Sequence, residues 1–159
     1  MKKFYITTPI YYVNDIPHIG HVYSTVVADV LARWHRMQGE AVYFLTGTDE
    51  NAQKNAEVAL QRMQNAELGM RNERDFIQKY VDAMSAKWQM TWDELGFSHD
   101  DFIRTTEARH VRGVEKFWKI VYATGDIYKG KYVGLYCTGC EAYVVESDLV
   151  DGKCPLHKK

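Results

Sequence analysis

The sequence predicts an α/β fold, with parallel strands joined by right-handed helical crossovers and a small cysteine-bearing appendage at the end. Three observations lead there. Short aromatic and β-branched runs alternate with long stretches whose apolar residues recur every three or four positions. The order is strand, helix, strand, helix, which is the start of a βαβ arrangement. All three cysteines lie in the last quarter of the chain, where apolar residues thin out.

The first run, Phe4 to Thr8, has the bias of a buried strand and is closed by Pro9. A turn-rich segment from Tyr11 to Pro17 leads into Ile19, Val22, Val26, Val27, Val30, Leu31 and Trp34, whose spacing predicts an amphipathic helix from about His18 to Gln38, stopped at Gly39. Ala41 to Thr46 is a second apolar strand, ending in GTDE. A second helix runs through Ala52, Ala56, Ala59, Leu60 and Met63.

After Gly69 the mixed charges of RNERD read as a solvated helix start or loop. Phe76, Ile77, Tyr80, Val81, Met84, Trp88, Trp92 and Leu95 then set out a helix that packs an aromatic face into the core. Another passes through Ala108, Val111, Val114, Phe117, Trp118 and Val121 and ends near Gly125. From Tyr128 the chain turns to glycine, tyrosine and β character, which places a boundary near residues 126 and 127. No internal repeat or low-complexity segment breaks this order.

A chain of 159 residues, 46% apolar, can bury a core of its own. Its net charge of −1 neither draws it to nucleic acid nor excludes a local basic patch. The apolar run in MKKFYITTPIYYV is interrupted by Thr7, Thr8 and Pro9 and lacks a small-residue cleavage site, so it reads as a strand rather than a leader. No stretch approaches the roughly 18 continuous apolar residues of a membrane span. A cytoplasmic location is therefore expected.

Ligands of parallel α/β sheets gather at the carboxyl ends of the strands, and two motifs stand there. The first is PIYYVNDIPHIGH, residues 9–21, where His18 and His21 flank Gly20 as the helix begins. Two imidazoles three residues apart share a face. A helix N-terminus offers unpaired N–H groups and partial positive charge to an anion, and Gly20 lets a planar group approach the backbone. A surface or core-satisfied pair is the competing reading; the position after a first strand favours phosphate.

The second motif is GTDE. Glu50 or Asn51 suits a cap for the following helix, whereas Asp49 at the strand end suits a substrate ammonium group.

The tail, CTGCEAYVVESDLVDGKCPLH, carries a third site. Cys137 with Cys140, and Cys154 with His157, form two knuckles that together present three thiolates and one imidazole, a set for tetrahedral Zn²⁺. Free thiols beside an incidental histidine are the alternative. Four protein ligands leave no open position, so the ion would be structural and would help fold a tail with little apolar material.

The segments ITTPIYYVND, PHIGH, FLTGTDE, DDFIRTT, GLYCTGC and CPLH, in this order, resemble the N-terminal part of the methionyl-tRNA synthetases, class I aminoacyl-tRNA synthetases. The likeness runs through essentially the whole chain. It implies that residues 1–126 are the N-terminal half of a Rossmann-like (HUP-type) nucleotide-binding catalytic domain and that 127–159 begin a zinc-binding connective peptide. The implied reaction activates methionine with Mg²⁺·ATP to methionyl-adenylate and transfers it to tRNA(Met).

By resemblance, His18 and His21 donate to the ATP phosphates, Gly20 admits the adenine, Asp49 holds the methionine ammonium, and Ile10 and Tyr12 wall the amino-acid pocket. Two departures stand out. Asn51-Ala52 replaces the more usual His-Gly, and no KMSKS-like segment occurs in these residues. The resemblance thus implies a C-terminal half carrying that loop and an anticodon-binding domain, without which the chain is expected to be nearly inactive. The alternatives are a non-catalytic, zinc-stabilised nucleotide- or partner-binding module, and a related nucleotidyltransferase acting on another small acid.

Overall fold

The computed structural model describes residues 1–65 and 72–158, so Gly69 and Arg71, at the head of the charged stretch, lie outside the described residues. The chain divides into two compact units, Met1–Val111 and Arg112–Lys159.

In the first unit, strand β1 (Lys3–Thr7) is followed by a two-residue strand β2 (Tyr11–Tyr12), helix α1 (Ile19–Met37), strand β3 (Ala41–Asp49), helices α2 (Gln53–Asn65) and α3 (Glu73–Glu94), and strand β4 (Asp101–Arg104). Strand β3 is central. It pairs in parallel with β1 and then β2, and also with β4. The parallel α/β arrangement expected from the sequence is thus the one observed.

Two short strands escaped the sequence reading. β2 sits inside the segment taken as turns, and β4 spans only four residues, too few to display a period of two. Strand β3 also runs three residues further than the apolar stretch, through Gly47, Thr48 and Asp49, because β2 and β4 pair with that polar end.

Both crossover helices lie on one face of the sheet. Phe44 packs on Ala28 and Ala32 of α1, while Phe102 packs with Trp88 and Trp92 of α3. Phe102 is the register partner of Thr46, two residues from Phe44, and so points the same way. On the other face Tyr5 and Tyr43 stack on each other and are exposed. The aromatic side of α3 enters the core as expected: Val81, Met84, Trp88 and Trp92 are all buried.

Helix α1 presents the sheet with Thr25, Ala28, Asp29 and Ala32, while Val26, Val27, Val30, Leu31 and Trp34 stay exposed. Small side chains let the helix approach the strands closely. The charged member is satisfied, because Asp29 Oδ1 accepts the backbone N–H and the hydroxyl of Ser98, both at 2.6 Å. Burial alone would raise the Asp29 pKa, but the hydrogen bonds from Ser98 and Arg33 outweigh it and hold this carboxyl below its usual range.

Helix α4 (Ala108–Ala123) leads into the second unit, which also contains the antiparallel hairpin β5 (Leu135–Cys137) and β6 (Ala142–Val144). Val150 and Lys153 exchange backbone hydrogen bonds of 2.9 and 3.0 Å and close a second tight turn just ahead of Cys154. Among the described residues no helix is long and apolar enough to cross a membrane.

Candidate functional site

The N-terminus of α1 is capped by histidine. His18 has extended backbone (φ −123°, ψ 172°), and its Nδ1 accepts the Gly20 N–H at 3.1 Å. In return, His21 Nδ1 accepts the His18 N–H at 3.2 Å. This reciprocal box satisfies donors that would otherwise be orphaned at a helix start. It also stacks the two rings, with centroids 3.6 Å apart and planes at 23°. A side chain at position 20 would crowd this arrangement, since a Cβ there would lie 3.0 Å from His18 Cε1 and 3.1 Å from its Nδ1, and the ring would have to give by a few tenths of an ångström.

The core supports the pair from below. The His21 ring rests on Trp88 and Tyr11, at centroid distances of 4.7 and 5.1 Å. The Tyr11 hydroxyl lies 2.8 Å from Ser24 Oγ and 3.0 Å from Thr25 Oγ1 on α1. Helix α3 also holds the loop ahead of the cap, as Tyr80 Oη donates to the Asn14 carbonyl and Trp88 Nε1 to that of Asp15, each at 2.9 Å. Burial, followed by the neighbouring His18, pushes the His21 pKa below its ordinary value.

Around the rings opens a cavity of ≈ 360 Å³. Ile10, Tyr12, His18 and His21, four of the residues expected in the site, line it together. Asn14, Asp15 and Lys54 join them. Lys54 was not legible as a site residue, because its place depends on where α2 begins against the first motif. Asp49 does not line the cavity, but it is the register partner of Tyr12 across the β2–β3 pair. Its carbonyl accepts from Asn55 Nδ2 at 2.9 Å, and its carboxylate faces the Asn51 N–H at 3.4 Å.

Glu50 caps no helix. Its side chain is fully buried and receives Arg104 in a fork, Nε to Oε1 at 2.6 Å and Nη2 to Oε2 at 3.0 Å. The Thr48 hydroxyl donates to it at 2.9 Å, and the Thr106 hydroxyl donates to the other oxygen. Arg104 also reaches Asp82 on α3, and with Glu50 as the larger influence its guanidinium is held more firmly protonated than usual. The DDFIRTT segment thus locks the end of β3 next to Asp49. The mixed polarity of that segment hid the role.

In the second unit the four tail residues come together. The Sγ atoms of Cys137, Cys140 and Cys154 and the nearer ring nitrogen of His157 all lie within 4.8 Å of one another. Cys140 Sγ is 3.3 Å from His157 Nδ1 and 3.6 Å from Cys154 Sγ, and Cys137 and Cys154 Sγ lie 3.6 and 3.7 Å from Nδ1. Donors around a tetrahedral ion with bonds of about 2.0–2.3 Å would stand roughly 3.5–3.8 Å apart, so the set fits Zn²⁺.

The hydrogen bond with Cys154, burial and neighbouring Cys137 push the Cys140 thiol up to about 11, while the backbone N–H of His157 leads in holding Cys154 below its usual value. A bound divalent ion would favour the thiolate forms. Gly139 makes room for the imidazole, since a Cβ there would stand 2.4 Å from the His157 ring.

Known proteins resemble this chain in sequence and fold. The family model for class I tRNA synthetases (M) matches residues 4–159. A methionine–tRNA ligase of Streptomyces coelicolor is 46% identical over 166 residues, which cover 99% of this chain and 29% of that relative. The structure of Mycobacterium tuberculosis methionyl-tRNA synthetase in complex with methionyl-adenylate superposes with a TM-score of 0.81 at 38% identity, over 96% of this chain and 28% of that one. A ternary complex of Agrobacterium radiobacter LeuRS, at 22% identity and a TM-score of 0.68, shares the fold. The chain spans less than a third of the relatives it matches, and it belongs to the class I tRNA synthetases of the methionyl type.

Proposed function

We propose that the chain supplies the ATP-facing part of a methionyl-tRNA synthetase active site. Completed by the rest of such an enzyme, it activates methionine and passes it to tRNA(Met). The observation that carries this reading is the stacked His18–His21 cap opening on the same cavity as Ile10 and Tyr12, with Asp49 across the ladder from Tyr12.

The chemistry needs no protein nucleophile. A methionine carboxylate oxygen attacks the α-phosphorus of Mg²⁺·ATP, and the bond from that phosphorus to the pyrophosphate oxygen breaks. His18 and His21 donate hydrogen bonds to the phosphates, Lys54 adds a cation beside them, and Gly20 keeps a Cβ away from the His18 ring. Asp49 holds the methionine ammonium with a charge-assisted hydrogen bond while Ile10 and Tyr12 wall its side chain. Catalysis is then positioning and charge stabilisation. Cys137, Cys140, Cys154 and His157 hold a structural Zn²⁺ that ties the two knuckles together.

The sheet face bearing Tyr5 and Tyr43 supports a complementing half, because parallel sheets are normally covered on both sides. That half would bring the KMSKS-type loop and the anticodon-binding domain, and the reaction would run in the cytoplasm. Methionine-dependent exchange of pyrophosphate into ATP tests the reading: it should be negligible for the chain alone and appear when the remainder of a methionyl enzyme is added. Tight ATP binding with no exchange after complementation would favour the non-catalytic module instead.

A further inference from the structure

We infer that the cap of α1 locks His18 and His21 together as neutral tautomers with the proton on Nε2, so that the pair meets an anion as two oriented donors carrying no charge. The lock is a property of the cap. Its use in holding phosphate rests on the function proposed above.

The argument starts from donor and acceptor counts. A neutral imidazole has one N–H and one bare nitrogen, and a backbone N–H can only be accepted by the bare one. Gly20 N–H points at His18 Nδ1 and His18 N–H points at His21 Nδ1, so both Nδ1 atoms are committed as acceptors. The proton of each ring is left on Nε2. Protonating either ring puts N–H against N–H and breaks the cap at that residue.

The stack imposes a second restraint. With centroids 3.6 Å apart, two imidazoliums would repel strongly, more so because His21 is partly shielded by Tyr11 and Trp88. The groups that face the pair do not reverse this. Lys54 from α2 is a cation lining the same cavity. Asp15, on the loop after β2, is the acid lining the cavity and is itself approached by Arg62 at 3.8 Å. The other side chains around the pair, Tyr11 and Tyr12 from β2 and Trp88 from α3, are aromatic. Lowered His21 basicity agrees with the lock.

Gly20 is then a positioning residue in its own right. Its missing side chain leaves the space into which the His18 ring folds back to reach the Gly20 N–H. Loss of that contact would free the ring to exchange tautomers and turn away from the cavity.

The test is a long-range ¹H–¹⁵N correlation of the imidazoles in the full 159-residue chain, labelled in histidine and recorded well above the ordinary imidazole pKa of about 6.5. Both rings are expected to show a protonated Nε2 and a bare Nδ1. An Nδ1–H tautomer, or the rapidly averaged pattern of free imidazole, at either residue would overturn the lock. In Gly20→Ala, His18 should revert to the averaged pattern and Mg·ATP affinity should fall about tenfold, as for a lost hydrogen bond to a charged group. An unchanged His18 ring in that variant would overturn the steric role assigned to Gly20. Adding Mg·ATP separates the two claims. Locked rings whose Nε2 signals ignore ATP uphold the lock and overturn the phosphate reading, while ATP binding by rings of mixed tautomer does the reverse.

Discussion

Arg104 closes on Glu50 as a fork, with nitrogen–oxygen distances of 2.6 and 3.0 Å to a carboxylate whose side chain is fully buried. The pair ties β4 to the end of β3 one residue after Asp49. Removing one partner leaves an uncompensated buried charge, which typically costs 3–5 kcal/mol. Arg104→Met is therefore expected to destabilise the first unit by about that much in urea unfolding. Arg104→Lys should recover only part of the loss, because an ammonium cannot reproduce the bidentate geometry.

Asp49 and Tyr12 face each other across the parallel β2–β3 pair. In an enzyme completed with its other half, Asp49→Asn keeps the shape but removes the charge on the proposed ammonium partner. Methionine affinity should then fall by at least tenfold while ATP affinity stays nearly constant. Equal losses for both ligands, measured by titration calorimetry, would remove this role.

His18 caps α1 and, in the proposed function, meets ATP, and substitution can separate the two. Asparagine is a strong N-cap residue and can still accept the Gly20 N–H, whereas alanine cannot, at a cost of about 1 kcal/mol. His18→Asn should keep α1 intact and weaken ATP, and His18→Ala should lose both cap and ligand. Helix content by circular dichroism and ATP binding by calorimetry distinguish the two.

One part of the pH dependence follows from His21. Its pKa is lower in the folded chain than the ordinary 6.5, so the folded state takes up its proton less readily than the unfolded one. The corresponding stability is fully present above 6.5 and is lost as pH falls through the folded-state value. Replacing His21 with Gln should flatten that part of a stability profile. An unaltered slope below 6.5 would show that other groups carry it.

For the tail, about one zinc per chain is expected by elemental analysis. Cys140→Ser should speed amide exchange over residues 137–157 while β1 and α1 stay protected, because the ligands lie in the second compact unit. Gly139→Ala should act similarly, through the 2.4 Å approach of its Cβ to the His157 ring. A protected tail in a zinc-free sample would contradict the metal's structural role.

Where local chemistry specifies local structure, the sequence was sufficient. The spacing of α1 predicted a helix from about His18 to Gln38, and those two residues are its caps. The two knuckles of the tail predicted the donor cluster, since ligand spacing within a tight turn is itself a local property. Helix α3 announced its buried face because its aromatic residues fall on one side.

What the sequence by itself determined was the order and type of the long elements, the family, and which four residues cluster in the tail. Tertiary structure decided how the elements and their side chains meet. Which face of α1 meets the sheet turned on the close approach that Ala28 and Ala32 permit, rather than on the larger apolar stripe at Val26, Val30 and Trp34. The pairing of Glu50 with Arg104 joins residues 54 apart, and the pairing of Tyr12 with Asp49 depends on strand register. Periodicity reports only on neighbours within a turn or a pleat, whereas these contacts are set by packing and register between distant segments.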